Sequence, residues 1–175
     1  MRKSPEMERE AVKDAAESMA VAARTAPKGR GIDNIEAILI EDRTDRDKLV
    51  TKMKELSAAL GKPSMERDAA SIKDSPEILV IGVRSNPAGL DCDFCGHKTC
   101  KDLTAAGGVC ALNSMDLGIA VGSAVSAAAR LHVDNRIMYS IGKAAMDLGW
   151  FSEKVSQALG IPLSVTGKSP YFDRK

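Results

Sequence analysis

All four cysteines of the chain fall within 19 residues, in Cys92-Asp-Phe-Cys-Gly-His-Lys-Thr-Cys and at Cys110. No other feature ties so much chemistry to one short stretch. The spacing is C-x2-C-x4-C-x9-C. A [4Fe–4S] cube needs four thiolates around one compact object. A C-x2-C pair supplies two from one turn, and a third a few residues on wraps the same cube. Gly96 frees the turn after the second cysteine, and Gly107 and Gly108 do so before the fourth. Cys92, Cys95, Cys100 and Cys110 are therefore the candidate metal ligands. Structural zinc is the rival reading, although zinc sites usually show two short Cys pairs or a closing Cys/His pair. A disulfide set belongs to an oxidising compartment, and unliganded buried cysteines do not cluster in this way. His97 reads as an exposed residue or a neighbour of the ligands, and His132 as a helix-end residue.

A chain of 175 residues is long enough for one domain with a sizeable core. We read residues 1–175 as that domain, with 90–111 as a cysteine-bearing insertion. Hydrophobic residues make up 44% and charged residues 28%, as in soluble globular proteins. The net charge of +1 supplies no field that would draw the chain to nucleic acid or an anionic membrane. No apolar run approaches the roughly 20 residues of a membrane span. The charged N-terminus precedes no apolar signal core, so a cytoplasmic location is expected. Aromatics at 3% argue against a base-stacking platform. No Ser/His/Asp set, paired-carboxylate signature or phosphate-cradling glycine loop supports a hydrolase or nucleotide binder.

Val12, Ala15, Ala16, Met19 and Ala23 recur at helical spacing and predict a helix over 8–24. It breaks at Pro27, Gly29 and Gly31. Residues 35–40 are a strand candidate. Thr44 opens a second helix, with Leu49, Met53, Leu56 and Leu60 as its buried stripe and Gly61 as its stop. Residues 62–76 give no clear signal. The apolar run 78–83 predicts a central strand covered on both faces. Asn113 is placed to cap a long helix to about Leu131, apolar or small almost all round and hence buried. Residues 136–141 suggest another strand, and 143–148 and 152–159 short helices, the last closed by Gly160 and Pro162. The tail from Thr166 reads as irregular. Helices alternating with apolar strands give a layered α/β or α+β domain.

The cysteine segment resembles the four-cysteine iron–sulfur domain of redox-complex subunits and corrinoid proteins, which opens Cys-x2-Cys-Gly-x3-Cys. Cys92, Cys95, Gly96 and Cys100 carry the match, and the fourth cysteine comes sooner here. Ala22-Ala-Arg-Thr-Ala-Pro-Lys-Gly-Arg-Gly-Ile-Asp-Asn resembles the end of the first helix of flavin-dependent nitroreductases. The similarity runs on through 35–40 and Ser75-Pro-Glu-Ile-Leu-Val-Ile-Gly-Val. It resumes at Asp116-Leu-Gly-Ile-Ala-Val-Gly-Ser-Ala-Val-Ser-Ala-Ala-Ala-Arg, which looks like that fold's buried central helix. The whole chain is similar to a family of ferredoxin-domain proteins of anaerobic bacteria and archaea. Its signatures include Val133-Asp-Asn-Arg-Ile-Met-Tyr-Ser-Ile-Gly and Gly167-Lys-Ser-Pro-Tyr-Phe-Asp-Arg.

The resemblance implies an α+β fold: a nitroreductase-like three-layer α/β/α sheet with an inserted iron–sulfur loop. It also implies a homodimer with flavin mononucleotide (FMN) at the subunit interface. Arg24, Lys28, Arg30 and Asn34 are then candidate flavin contacts, with Lys168 and Arg174 as charges for its phosphate. The chain departs from the nitroreductases at the Arg-rich motif ahead of the first helix, where only Arg2-Lys-Ser remains, and again after Pro27, where Lys28 stands in place of the Ser that closes their Ala-Ala-Arg-x-Ala-Pro-Ser segment. Two functions follow. One is an oxidoreductase whose cluster feeds electrons to FMN; the other is a non-catalytic electron carrier or redox sensor. Either calls for a redox partner protein. The cysteines should lie close to the loop 25–34, with Arg84, Lys98 and Lys101 as the cations nearest them in sequence.

Overall fold

Alternation along one strand divides the core. In β2 (Glu77–Arg84), Leu79, Ile81 and Val83 face one side of the sheet and Ile78 and Val80 the other. All five are buried, and burying such a side chain contributes about 1.5–3 kcal/mol. The computed structural model describes residues 1–172. Its sheet has the order β1-β2-β4-β3 and is antiparallel throughout, with β1 (Ile35–Ile40), β3 (Asp134–Asn135) and β4 (Val155–Ser164). The helices α1 (Ser4–Thr25) and α5 (Ala111–Arg130) cover the Leu79 face. The other face is covered by α2 (Arg43–Leu60), α3 (Pro63–Ile72) and α6 (Tyr139–Asp147). The fold is a mixed α+β sandwich of three layers, and each face of the sheet has its own apolar cluster.

The first helix begins earlier than its apolar periodicity, at Ser4, because Pro5 suits the first turn and supplies a preset φ. Arg43 rather than Thr44 opens α2, whose N-cap is Asp42. Leu49 and Met53 of its stripe are fully buried, but Leu60 is exposed. Residues 63–72, unassigned in the sequence, form α3 behind Pro63 and bury Met65, Ala69 and Ile72.

Three expectations need correction. Residues 152–159 are not a helix. Most of them enter β4, a ten-residue strand that runs through Gly160 and Pro162. Pairing to β2 along nearly the whole length overrides the local stop signals. Gly160 exchanges backbone hydrogen bonds with Met138 on the side away from β2. Pro162 presents that same side two residues later and has no N–H. The ladder is therefore broken into the short β3 and a lone bridge at Met138. Residues 136–141 are accordingly not a strand, and α6 starts at Tyr139. Gly142 brings that helix onto β4: a Cβ there would lie 1.9 Å from the Ala158 carbonyl oxygen.

The third correction concerns α5. Its N-cap is Cys110, and Asn113 lies inside the helix, buried. Its surface is not covered all round. Met115, Gly118, Ile119, Gly122 and Ser126 form one exposed, uncharged face.

Candidate metal centre and a cationic groove

The cysteine segment runs from the end of β2 to the start of α5 and contains α4 (Cys100–Ala105). Asp91, Asp93 and Gly96 all have positive φ, at 47°, 61° and 77°, so the chain coils tightly around Cys92 and Cys95. The Gly96 N–H closes a turn onto the Asp93 carbonyl at 2.9 Å. Asp91 Oδ1 accepts the Cys100 N–H at 2.7 Å, which ties the third cysteine to the residue before the first. Thr99 caps α4 by accepting the Asp102 N–H. Gly108 lets the chain cross Leu103, since a Cβ there would meet Leu103 Cδ1 at 2.4 Å.

The result is one small pocket lined by Cys92, Cys95, Cys100 and Cys110, with Ala88, Asp91, His97 and Leu112 among its other walls. All four are free thiols, graded from exposed Cys92 through half-buried Cys95 and Cys100 to buried Cys110. Cys110 caps α5, so the positive end of a 20-residue helix meets the pocket and favours negative charge there. The thiols ring a shared space rather than a point: among the described residues no three His, Cys, Asp or Glu side chains converge to hold a single ion. His97 is half-buried in the pocket wall, and His132 is exposed just beyond α5.

The loop 25–34 lies against this segment. Arg30 Nη1 donates to the Ala88 carbonyl at 2.6 Å. Asn34 Oδ1 accepts from Asn86 Nδ2 at 3.1 Å, and the Asn86 N–H donates to Asn113 Oδ1 at 3.0 Å. Asp116, buried one turn along α5, accepts the Gly29 N–H at 2.8 Å. Asn86, Asn113 and Asp116 thus join the loop, the segment and the helix. The sequence signal for Asp116 was present, since it is the sole charge between Ala111 and Ala129.

The charges read as flavin contacts have internal partners. Arg24 donates to Asp33 and to the Ile35 carbonyl at 2.8 Å. Burial alone would raise the Asp33 carboxyl, but the Arg24 bond and the Ile35 N–H outweigh it and hold it below the usual carboxylate range. Lys28 Nζ donates to the carbonyls of Ala23, Arg24 and Ala26 and closes the C-terminus of α1.

Lys168 lies elsewhere, in the tail whose Thr166, Pro170 and Tyr171 line a groove of about 930 Å³. This groove opens beside the N-terminal turns of α1 and also takes in Arg9, Arg67, Lys73, Arg136, Ser71 and Ser75. Four cations face three acids there, Glu8, Asp68 and Asp74. Asp68 is buried and engaged by Ser140 at 2.7 Å and Arg67 at 3.2 Å. Arg136 is pinned by the Tyr171 carbonyl at 2.7 Å and stacks on Phe172. Burial raises the Tyr171 hydroxyl pKa, and a hydrogen bond with Ser75 partly offsets it. Arg174 lies outside the described residues. The four cations of the groove were not singled out in the sequence, because they come from three separated helices and loops.

Gly29 packs beside Asp116 near the start of α5, whereas β3 and Arg136 follow its far end. The cysteine pocket therefore lies at the start of α5, and Arg136 of the groove follows the other end of that helix, which is roughly 30 Å long.

A three-layer antiparallel sandwich with this connectivity is the nitroreductase-like fold. A nitroreductase with bound FMN from Desulfitobacterium hafniense superposes with a TM-score of 0.63 at 15% identity, covering 96% of this chain and 80% of that one. The NADPH:FMN oxidoreductase of Vibrio harveyi, complexed with NAD+, gives 0.58 at 13% identity, covering 93% and 63%. Sequence comparison is narrower. An uncharacterized protein of Archaeoglobus fulgidus is 44% identical over 174 residues, 94% of this chain and 92% of that one. Residues 106–174 match the family described as uncharacterized proteins containing a ferredoxin domain. The chain belongs to that family.

Proposed function

We propose that Cys92, Cys95, Cys100 and Cys110 hold a [4Fe–4S] cluster, and that the protein is an oxidoreductase passing electrons from it to FMN. The observation that carries the reading is the single pocket lined by all four free thiols. A lone zinc would draw four thiolates to about 2.3 Å. A cube carries one thiolate per iron and suits donors spread around a pocket. The family's ferredoxin domain supports the same donor chemistry.

The groove fits a flavin better than the loop 25–34 does. It has the room, and Arg9, Arg67, Lys73 and Arg136 can meet a phosphate while Ser71, Ser75 and Thr166 offer hydroxyls. The D. hafniense nitroreductase has FMN bound, and the V. harveyi protein is an NADPH:FMN oxidoreductase. The cluster would supply single electrons, and the flavin would gather two of them for one substrate.

Opposite ends of α5 are too far apart for a direct step within one chain, so the route runs between two chains. An antiparallel pairing of α5 with its copy, through Met115, Gly118, Ile119, Gly122 and Ser126, sets the cysteines of one subunit beside the groove of the other. Protein purified without oxygen should carry about four irons and four sulfides per chain, with flavin bands in its visible spectrum. One zinc and no sulfide would sink the cluster. A second reading, an electron carrier or sensor without flavin, is favoured by the internal partners of Arg24 and Lys28. It predicts full iron and sulfide with no retained or added flavin bound.

A further inference from the structure

Resting on the cluster proposed above, we infer that Arg30 is the cation that sets that cluster's reduction potential, fixed over the rim of the cysteine pocket by its bond to the Ala88 carbonyl. Sequence proximity points to Arg84, Lys98 and Lys101, but the contacts select differently. Arg84 Nη2 is spent on the Asp33 carbonyl at 2.7 Å, with Glu36 close by. Lys98 and Lys101 are exposed and do not line the pocket. Lys28 is turned back onto the end of α1. Arg30 alone of these puts a guanidinium into the segment itself, 2.6 Å from the Ala88 oxygen. Ala88 is in the pocket wall, and a Cβ on the next residue, Gly89, would lie 3.8 Å from the same nitrogen.

The backbone holds this aim under strain. Arg30 has φ 57° and ψ 14°, a left-handed conformation that side chains resist and glycine adopts freely. Both neighbours are glycines. The turn is clamped by Asp116 on the Gly29 N–H and by the Gly31 N–H on the Lys28 carbonyl. An arginine is thus tolerated where glycine would be easier, with its charge held at Ala88 in the wall of the cysteine pocket. Adding one electron makes a cluster more negative, so a fixed cation favours the reduced form and raises the potential.

The test uses the full chain loaded without oxygen, with potentials read by spectroscopic redox titration. R30G relieves the strain and removes the charge. It should keep about four irons and shift the oxidised-to-reduced ratio about tenfold toward oxidised, 59 mV for one electron. R30Q keeps the reach to Ala88 without the charge and should repeat the shift, whereas R30K should recover part of it. Raising the salt should shrink the difference, as it does for a charge near solvent. K101Q should move the potential less than either neutral Arg30 variant. Fully loaded R30G and R30Q at the wild-type potential would overturn the inference, as would a shift that K101Q matches. Wild-type protein that binds no iron would overturn the cluster itself, a separate and visible failure.

Discussion

The two ends of the residue Cys92–Cys110 series differ in what they hold. Cys110 is buried as the cap of α5, whereas Cys92 is exposed. Cys92→Ser should leave the metal-free chain within about 0.5 kcal/mol of wild type, and chemical denaturation checks this. Either Cys92→Ser or Cys110→Ser should lower bound iron and sulfide to below half, by direct analysis. A different residue makes one contribution to stability depend on pH. Glu77, at the start of β2, has its carboxyl raised by burial and then by the charge of Glu41. The folded chain keeps that proton where the unfolded chain has released it. Stability is therefore lost as pH climbs from about 4.5 through the raised value. Glu77→Gln should melt higher than wild type at neutral pH and converge with it in acid. A melting difference that ignores pH would refute the assignment. At this scale the sequence disclosed the thiols, because four rare residues at short spacing need no fold to be noticed. It could not disclose Arg30 as a neighbour of Ala88, since 58 residues separate them and only packing brings them together.

At the scale of elements, legibility followed the local signal. The run 35–40 and the helix around Leu49 and Met53 stood out because propensity, periodicity and burial agree in them. β4 was hidden because Gly160 and Pro162 read as stops, while both neighbours in the sheet hold the strand extended. α6 was misjudged for a related reason: Gly142, a poor helix former, is there for clearance. That clearance is testable. Gly142→Ala would drive a Cβ into the Ala158 backbone, so α6 must lift off β4. The loss should be about 3 kcal/mol or more, read from the midpoint of urea unfolding. The same substitution at Gly118, which has open space around it, should not destabilise the isolated chain.

For the molecule as a whole, the exposed face of α5 is the outstanding surface. It carries no charge over residues 117–129, and Met115 and Ile119 are each 43% exposed. A homodimer joined there should be disrupted by Ile119→Arg, and light scattering at micromolar concentration should report a monomer. If wild type is already a monomer under those conditions, the two-chain electron route fails. The described residues include no helix long and apolar enough to cross a membrane. One further feature bears on the life of the chain. Both apolar clusters are complete without any residue of 84–116. The three layers can therefore assemble without the cysteine segment and before the proposed cluster is inserted. The cysteine segment is then the last part to settle, waiting on a finished scaffold whose helix end is already in place to receive it. Maturation would be a separate event that a cell short of iron can postpone without losing the protein.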